Sequence, residues 1–433
     1  MLLLTRKSAG VRRRFALNGI RMTRTYVVGV GMTPFGRAED KSIQRLAGDA
    51  IALALADAGC RPADIGAAYY AGATNGPLQG QYTIPGPIAL RHAGIQGIPV
   101  YSVENACASG SSAFNLAIQS LEAGVCDIAL AVGAEKMNIA DKARMFAVFD
   151  SGWDVSAVEE NKAALLALGA GIAPPPGTIS DKPYSVFMDV YAAFCRHHMR
   201  RYGTTQRQIA AVAAKNHQHS VHNPLAQYRR AFTIEEVLAA APITYPLTMP
   251  MCSPISDGAA AAVVCSEDGL RRLGAAAARA VEVLASVVQV GVDHPHEERE
   301  HGVGHLAARR AYELAGVSPD DVDVAEVHDA TAMGEILNAE ALMLVPWGEG
   351  GAAAERGELT LGGRLPINPS GGLESKGHPI GATGLGQLFE LVTQLRGEAG
   401  RRQVEGARLA IHENGGGLYG SEEAVVAVNI LAK

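Results

Sequence analysis

Short apolar runs alternate with amphipathic stretches along the chain, which is the pattern of an α/β protein. Thr25–Val30 is apolar enough to form a buried strand, and apolar residues at helical spacing follow over Leu46–Ala58. The helix is predicted to end at Gly59, because glycine commonly terminates helices. The glycine turn after the first strand is not a dinucleotide-binding motif, since Pro34 stands where that motif needs its third glycine.

The same local pattern occurs twice. Gly59, Pro62 and Asp64 recur as Gly316, Pro319 and Asp321, at a constant offset of 257 residues. Two turns that lead into helices also correspond, one beginning at Cys107 and the other at His378. Each half closes with a strand rich in small residues (Asp257–Cys265 and Ala424–Leu431). The repetition predicts a duplicated α/β unit in which two helix N-termini meet near a pseudo-twofold axis.

The repeat divides the chain into four segments. They are an N-terminal extension (1–24), an N-terminal half (25–140 with 246–270), an inserted cap or loop region (141–245) and a C-terminal half (271–433). The extension is basic and is expected to be disordered or loosely docked. The insertion is too long for a plain loop, so we expect it to supply the walls that select the substrate.

Composition and charge exclude several classes of function. The chain is 48% hydrophobic with a formal net charge of -6 and scattered basic residues, which argues against nucleic-acid binding. No apolar run is long enough to span a bilayer, and six cysteines without a CxxC pair suit a reducing cytoplasm. The histidines at 197, 198, 217, 219 and 222 lack partners at zinc-site spacing, so we expect no metal site and place them on solvated helix faces or loops.

Cys107 stands where a nucleophile is favoured. A helix N-terminus stabilises a thiolate, a nearby imidazole can accept the thiol proton, and backbone N–H groups at such a turn can bind an oxyanion. A buried cysteine capping a core helix would give the same local sequence. The paired turn at His378 favours catalysis.

The longer motifs resemble those of the thiolases. VENACASGSSAFNLAIQSLEAG is similar to their nucleophile segment, and NPSGGLESKGHPIGATGLGQLFELVTQLRGEAG is similar to their GHP segment. EVHDATAMGEI and PMCSPISDGAAAAVV resemble the sterol-carrier-protein-type thiolases more narrowly. The resemblance runs from Thr25 to the C-terminus and implies an αβαβα sandwich of five layers, assembled as a homodimer or a dimer of dimers.

The resemblance also implies roles for individual residues. Cys107 corresponds to the nucleophile that accepts the acyl group, and His378 corresponds to the histidine that deprotonates it. His328 corresponds to the residue that polarises the thioester oxygen, although a buried structural histidine is the alternative there. The N–H groups of Cys107 and Gly415 correspond to an oxyanion hole. Coenzyme A would enter as a substrate, with no tightly bound cofactor.

One family feature is missing. Thiolases carry a second catalytic cysteine, but Ala330 and Glu413 occupy the two positions where it is found. Because a carboxylate can exchange a proton with the carbon beside a thioester, we predict that Glu413 replaces that cysteine. Cys126, Cys252 and Tyr419 are weaker candidates.

Three functions are compatible with these motifs. The first is cleavage of a 3-oxoacyl-CoA by CoA, or the reverse condensation, with a substrate that could be bulky. The second is a retro-aldolase or C-acyltransferase that works with a zinc-ribbon/OB-fold partner chain, although such aldolases tend to lose the GHP motif that is present here. The third, a lipid carrier, is disfavoured because Cys107, His328 and His378 are all retained.

Overall fold

The computed structural model describes residues 23–149 and 151–433. The strands are β1 (Thr25–Met32), β2 (Ala67–Ala71), β3 (Val100–Val103), β4 (Ile128–Lys136), β5 (Pro242–Thr244), β6 (Leu247–Thr248), β7 (Asp257–Ser266), β8 (Val281–Val290), β9 (Val324–Glu326), β10 (Leu409–Tyr419) and β11 (Glu422–Ala432). The helices are α1 (Ile43–Ala58), α2 (Asn75–Gln79), α3 (Pro85–His92), α4 (Ser109–Glu122), α5 (Lys142–Phe149), α6 (Val158–Ala167), α7 (Val186–Tyr202), α8 (Gln206–Ser220), α9 (Ile234–Leu238), α10 (Glu267–Leu273), α11 (Val303–Ala315), α12 (Ala332–Ala341), α13 (Gly350–Glu355), α14 (Gly372–Lys376) and α15 (Thr383–Leu395). Residues 1–22 of the predicted N-terminal extension lie outside the described residues.

The main sheet shows the duplication directly. Its nine strands run in the order β3-β2-β4-β7-β1-β8-β11-β10-β9. Counted outwards from the β1–β8 junction, β1, β7, β4 and β2 of the first half correspond to β8, β11, β10 and β9 of the second. β2 is parallel to β4 as β9 is to β10, and β4 is antiparallel to β7 as β10 is to β11. The junction itself pairs Thr25–Val27 with Val281–Val283. The predicted duplicated α/β unit is confirmed.

The helices make five layers with the two halves of the sheet. Helix α1 packs on the outer face of the N-terminal half, and α11 packs on the outer face of the C-terminal half. Helices α4 and α15 lie between, where Phe114 and Leu388 share one apolar core with residues from both halves of the sheet. The expected five-layer αβαβα sandwich is therefore present.

The repeated glycine–proline–aspartate pattern has one structural meaning in both halves. Gly59 and Gly316 terminate α1 and α11 in the left-handed conformation, with φ of 65° and 67°. The residues Pro62–Asp64 and Pro319–Asp321 each form a single 3-10 turn that leads into the next strand. Local chain chemistry thus sets the same helix–turn–strand connection twice.

The two helix N-termini approach each other closely at the centre of the molecule. A Cβ atom built on Gly110 would lie 2.8 Å from the carbonyl oxygen of Gly381, and one built on Gly381 would lie 2.8 Å from the Cα of Gly72. Such distances leave no room for a side chain. The glycines therefore let the turns of Cys107 and His378 come together, as the repeat predicts.

The insertion is part of the core as well as a cover. Helices α7 and α8 contribute Val190, Ile209 and Val212 to the outer core of the C-terminal half. The expectation that the histidines at 197, 198, 217 and 219 are solvated is wrong, because all four are at most 4% exposed. His198, for example, contacts Thr204 and Glu340 through its two ring nitrogens. Their partners come from distant segments, so the sequence pattern around them did not reveal their burial.

Candidate active site

The turn that carries Cys107 has a strained backbone. Ala106, the preceding residue, has φ of 47°, a conformation that non-glycine residues adopt rarely and that recurs at active sites. Ser109 holds the turn, since its hydroxyl accepts from the N–H of Asn105 at 2.8 Å and donates to the carbonyl of Ala106 at 2.6 Å. Cys107 lies in the one-turn helix Ala106–Ala108 that leads directly into α4. Its sulfur is therefore presented at the positive end of a helix.

The imidazole of His378 is held in one orientation. The Thr383 hydroxyl donates to the Pro379 carbonyl at 3.0 Å, so its oxygen accepts from Nδ1–H of His378 at 2.7 Å. This arrangement leaves Nε2 without a proton. Burial and the positive charges of His328 and Lys376 lower the pKa of His378 well below its usual value. His378 is thus a neutral imidazole with a nitrogen free to accept a proton.

His328 has the opposite electrostatic character. It follows β9, and its Nδ1 lies 3.4 Å from Oε1 of Glu423. Burial lowers the pKa of His328, but hydrogen bonding to Cys107 and Glu423 outweighs burial and raises the pKa well above its usual value. His328 is therefore the more basic of the two histidines.

The three predicted side chains converge. The ligand atoms of Cys107, His328 and His378 all lie within 4.8 Å of one another, and the two imidazole rings are 5.3 Å apart between centroids. In the described parts of the chain, no other group of three His, Cys or carboxylate side chains is close enough to hold a metal ion. One thiol thus lies between two imidazoles whose pKa values are shifted in opposite directions.

These side chains form one wall of a cavity of about 320 Å³. The opposite walls are apolar and come largely from the insertion, as expected: Phe146, Phe149, Tyr184, Phe187, Met188 and Tyr191. Phe187 is supported from behind by Trp153, with ring centroids 5.0 Å apart. Met249 also lines the cavity and is 59% exposed, so the cavity reaches the surface. Among the described residues, the lining contains no lysine or arginine.

Glu413 lies beside the site but does not line the cavity. It is fully buried in β10, where Oε2 accepts from the backbone N–H of His328 at 2.9 Å. Burial and the negative charge of Glu423 raise the pKa of Glu413 to about 8. Its predicted role as the second acid/base stays a prediction.

The predicted oxyanion glycine also lies outside the lining. Gly415 packs against the carboxylate of Glu423, whereas Gly416 approaches the Cys107 turn at Asn105 and Gly417 lines the cavity. The pairing of the Gly415 N–H with that of Cys107 stays a prediction.

The three weaker candidates for the second acid/base lie in different surroundings. Cys252 lines the cavity, and burial raises the pKa of its thiol well above the usual value. Cys126 follows the far end of α4, about 20 Å along the helix from Cys107. Tyr419 is 64% exposed and is absent from the cavity wall. The cavity wall therefore contains one of the three.

Glu423 is the residue that the sequence analysis missed. It pairs with Leu418 across the final hairpin and lines the cavity beside His328. In the sequence, Glu422-Glu423 resembles an ordinary polar start of a strand. The available signal was the glycine run at 415–417, which leaves space for a side chain from the neighbouring strand.

A network of buried charges lies behind His328. Lys215 pairs with Glu335 at 2.9 Å and Lys376 pairs with Glu326 at 3.1 Å, all with side chains at most 1% exposed. Asp329 accepts from the backbone N–H of Leu373 at 2.8 Å and so ties the His328 loop to α14, just before the His378 turn. The network fixes the relative position of the two histidine-bearing loops.

A duplicated five-layer α/β fold with a cysteine and a histidine at paired helix N-termini defines the thiolase class. The family description "Thiolase, N-terminal domain" matches residues 25–237, and "Thiolase C-terminal domain-like" matches 301–429. The chain belongs to the thiolase family. None of the helices in the described ranges is long and apolar enough to cross a membrane.

Three similar proteins illustrate the range of relatives. Sterol carrier protein 2 of Rattus norvegicus is 38% identical over 92% of this chain and 71% of its own length. Acetyl-CoA acetyltransferase of Methanothermobacter thermautotrophicus is 37% identical over 94% of this chain and 99% of its own length. Benzoylsuccinyl-CoA thiolase subunit BbsB of Thauera aromatica is 33% identical over 91% of this chain and 95% of its own length.

One solved structure shows the same fold. The Ltp2-ChsH2(DUF35) aldolase superposes with a TM-score of 0.74, covering 94% of this chain and 97% of that one. Because the sequence identity is 22%, the likeness concerns the fold alone.

Proposed function

We propose that the protein is a thiolase-type acyltransferase that carries an acyl group on Cys107 and makes or cleaves a carbon–carbon bond beside a CoA thioester. The observation that carries the proposal is the convergence of Cys107, His378 and His328 within 4.8 Å on one wall of the cavity. A lipid carrier would not require a thiol between one imidazole that favours its neutral form and another that favours its protonated form.

The charges suggest the order of events. His378 Nε2 accepts the thiol proton of Cys107, and the thiolate attacks the substrate carbonyl carbon. The imidazolium of His328 stabilises negative charge on the carbonyl oxygen, which in a buried site is a large contribution to catalysis. The bond to the leaving carbon then breaks, and the acyl group remains on sulfur. A second molecule of CoA accepts it from Cys107.

The cavity favours a bulky, neutral acyl group. Its volume of about 320 Å³ and its phenylalanine and tyrosine walls suit an aromatic or polycyclic group. No described lysine or arginine lines the cavity to neutralise a carboxylate on the acyl chain. We therefore expect a higher kcat/KM with aromatic 3-oxoacyl-CoA substrates than with dicarboxylic ones, measured by release of the product acyl-CoA.

Intact-mass spectrometry tests the acyl-enzyme directly. The protein is incubated with acetyl-CoA or benzoyl-CoA and its mass is measured. We expect a single acyl adduct that is absent in Cys107→Ala and retained in the control Cys126→Ala, because Cys126 lies at the far end of α4. An adduct that persists in Cys107→Ala, or no adduct with either acyl-CoA, would contradict the proposal.

A partner chain is a second proposal. BbsB is named as a subunit, and the superposed aldolase is named as a complex with ChsH2. We propose that this chain also forms a dimer and works with a small zinc-ribbon/OB-fold partner, while the GHP histidine in the cavity favours acyl transfer over aldol cleavage. Analytical ultracentrifugation of the chain alone and co-expressed with a neighbouring OB-fold gene product tests both parts. A monomer that is unaffected by co-expression would contradict them.

A further inference from the structure

Cleavage of the carbon–carbon bond requires a proton donor, and neither His378 nor His328 delivers a proton to the carbon in the proposed reaction. When the carbon–carbon bond breaks, the α-carbon of the departing thioester must receive a proton, and in condensation it must lose one. His378 is occupied with the proton of Cys107, and His328 acts on the carbonyl oxygen. The missing group must face the same cavity and hold an exchangeable proton.

Glu423 meets both requirements. Its side chain, 19% exposed, is part of the wall that also contains Cys107, His328 and His378. Oε1 lies 3.4 Å from Nδ1 of His328. The carboxyl group is thus adjacent to the imidazole that faces the reacting carbonyl, which places it near the neighbouring carbon.

The neighbouring strand is shaped around this carboxyl group. A Cβ atom built on Gly415 would overlap both the Cδ and Oε1 of Glu423. Any larger residue at 415 would therefore push Glu423 away from its position. Gly415 has a steric reason to be glycine that is independent of the oxyanion hole predicted from the family.

The other candidates are engaged elsewhere. Glu413 is behind the wall and uses Oε2 to accept the backbone N–H of His328. The thiol of Cys252 lines the cavity but donates to the carbonyl of Thr248, at 3.6 Å. Glu423 is the carboxyl group in the described lining that lies against His328.

We propose that Glu423, rather than Glu413, is the acid/base residue that exchanges the proton at the α-carbon of the acyl-CoA. The inference rests on the proposed function. It assigns the task of the missing second cysteine to a residue on the adjacent strand, held against His328 and accommodated by Gly415.

The protons balance over one cycle of cleavage. His378 takes the proton of Cys107, and the thiolate forms a bond to the carbonyl carbon as the carbon–carbon bond breaks. The Glu423 carboxylate receives a proton from the imidazolium of His328, whose Nδ1 lies 3.4 Å from Oε1, and gives it to the α-carbon. Glu423 then takes the thiol proton of the incoming CoA, whose sulfur attacks the acyl-Cys107, and returns that proton to His328. The departing Cys107 thiolate recovers its proton from His378.

Glu423→Gln separates the two half-reactions. Acylation of Cys107 by acetyl-CoA involves no bond to the α-carbon, so we expect the intact-mass adduct to form at close to the wild-type rate. Deuterium uptake at the α-carbon of acetyl-CoA in D₂O should fall by about 10²-fold or more. Glu423→Asp should recover part of the exchange rate. Thermal melting checks that each variant is folded.

Glu422→Gln is the matched control. Glu422 is adjacent on the same strand but pairs with His294 at 3.3 Å and is not part of the cavity wall. We expect it to retain both reactions. Glu413→Gln and Cys252→Ser are measured in parallel, and the proposal predicts that each keeps more exchange activity than Glu423→Gln.

The outcomes are distinguishable. Unchanged exchange in folded Glu423→Gln, or a larger loss in Glu413→Gln or Cys252→Ser, overturns the proposal for Glu423. An equal loss of acylation and exchange in Glu423→Gln also overturns it, since that result makes Glu423 a positioning residue for His328. If the wild-type protein forms no acyl adduct, the proposed function itself fails.

Discussion

The two halves place different chemistry on the same scaffold. At Cys107 the chain passes from strand β3, and at His378 from the short helix α14, through a tight turn to the N-terminus of a long helix. The positive end of a helix stabilises an anion and destabilises a cation. The same feature therefore favours a thiolate in one half and a neutral imidazole in the other, which is the combination that proton transfer between them needs.

The surroundings of the two turns differ more than the turns themselves. The core outside the N-terminal half of the sheet is apolar, with α1 packed on strand residues such as Val28 and Val263. The C-terminal half contains the buried charges that include Lys376 and Glu326. Duplication thus preserved the backbone, while the half that carries two histidines acquired a network that holds them.

The largest expected effect comes from removing His378, the proposed base. His378→Ala should lower kcat/KM for thiolysis by about 10³-fold or more, because Cys107 loses its proton acceptor. The assay follows cleavage of a 3-oxoacyl-CoA, with His301→Ala as a control because His301 is exposed at the surface. A loss below about tenfold would mean that the two turns do not act as a pair.

Breaking the buried ion pair should affect stability most. Lys376→Met leaves Glu326 buried without its partner and should cost about 3–5 kcal/mol of unfolding free energy. In the N-terminal half, Lys41→Met breaks the half-exposed pair with Asp49 and should cost at most about 1 kcal/mol. Denaturant unfolding compares the two variants. Equal losses would contradict the proposed difference between the halves.

The raised pKa of Glu413 predicts how the stability of the protein changes with pH. Its pKa is about 8 in the folded protein against a usual value of 4.5, so between these values the folded state binds the extra proton. The stability contribution of Glu413 therefore falls as pH rises from 4.5 towards 8. Relative to wild type, Glu413→Gln should gain at least about 1 kcal/mol over this window. Melting temperatures of both proteins across the window test this, and a constant difference would contradict it.

The smallest expected effect concerns the orientation of His378. Thr383→Val removes the acceptor for Nδ1–H and should lower kcat/KM about tenfold, with the loss mainly in kcat. Ser112 is the equivalent residue of the first half, and its hydroxyl accepts from Asn105 at 2.9 Å. Ser112→Ala should change the rate less than Thr383→Val does. The reverse order would show that the turns are held by different means.

Local patterns predicted the architecture because local chemistry determines it. The repeat was recognised from the glycines that end α1 and α11, at 59 and 316, and from the turn prolines at 62 and 319. The repeat in turn predicted that Cys107 and His378 lie close together. The predicted helices and strands of both halves agree with the structure to within a few residues at their ends.

What the sequence left open depends on contacts between distant segments. The burial of His198 depends on Glu340, a residue 142 positions away. The position of Glu423 depends on its pairing with Leu418 and on the empty space at Gly415, which only the hairpin register defines. The aromatic wall likewise requires the insertion to fold over the site, which no periodicity in residues 141–245 predicts.

The central position of β1 has a consequence for synthesis of the chain. This first strand is paired on one side with β7, from Asp257 onwards, and on the other with β8. At about 5–20 residues per second, the ribosome needs roughly 10–50 s after β1 to deliver these neighbours. Until then an apolar strand with two open edges is exposed outside the ribosome, so nascent chains should depend on chaperones more than the folded protein does.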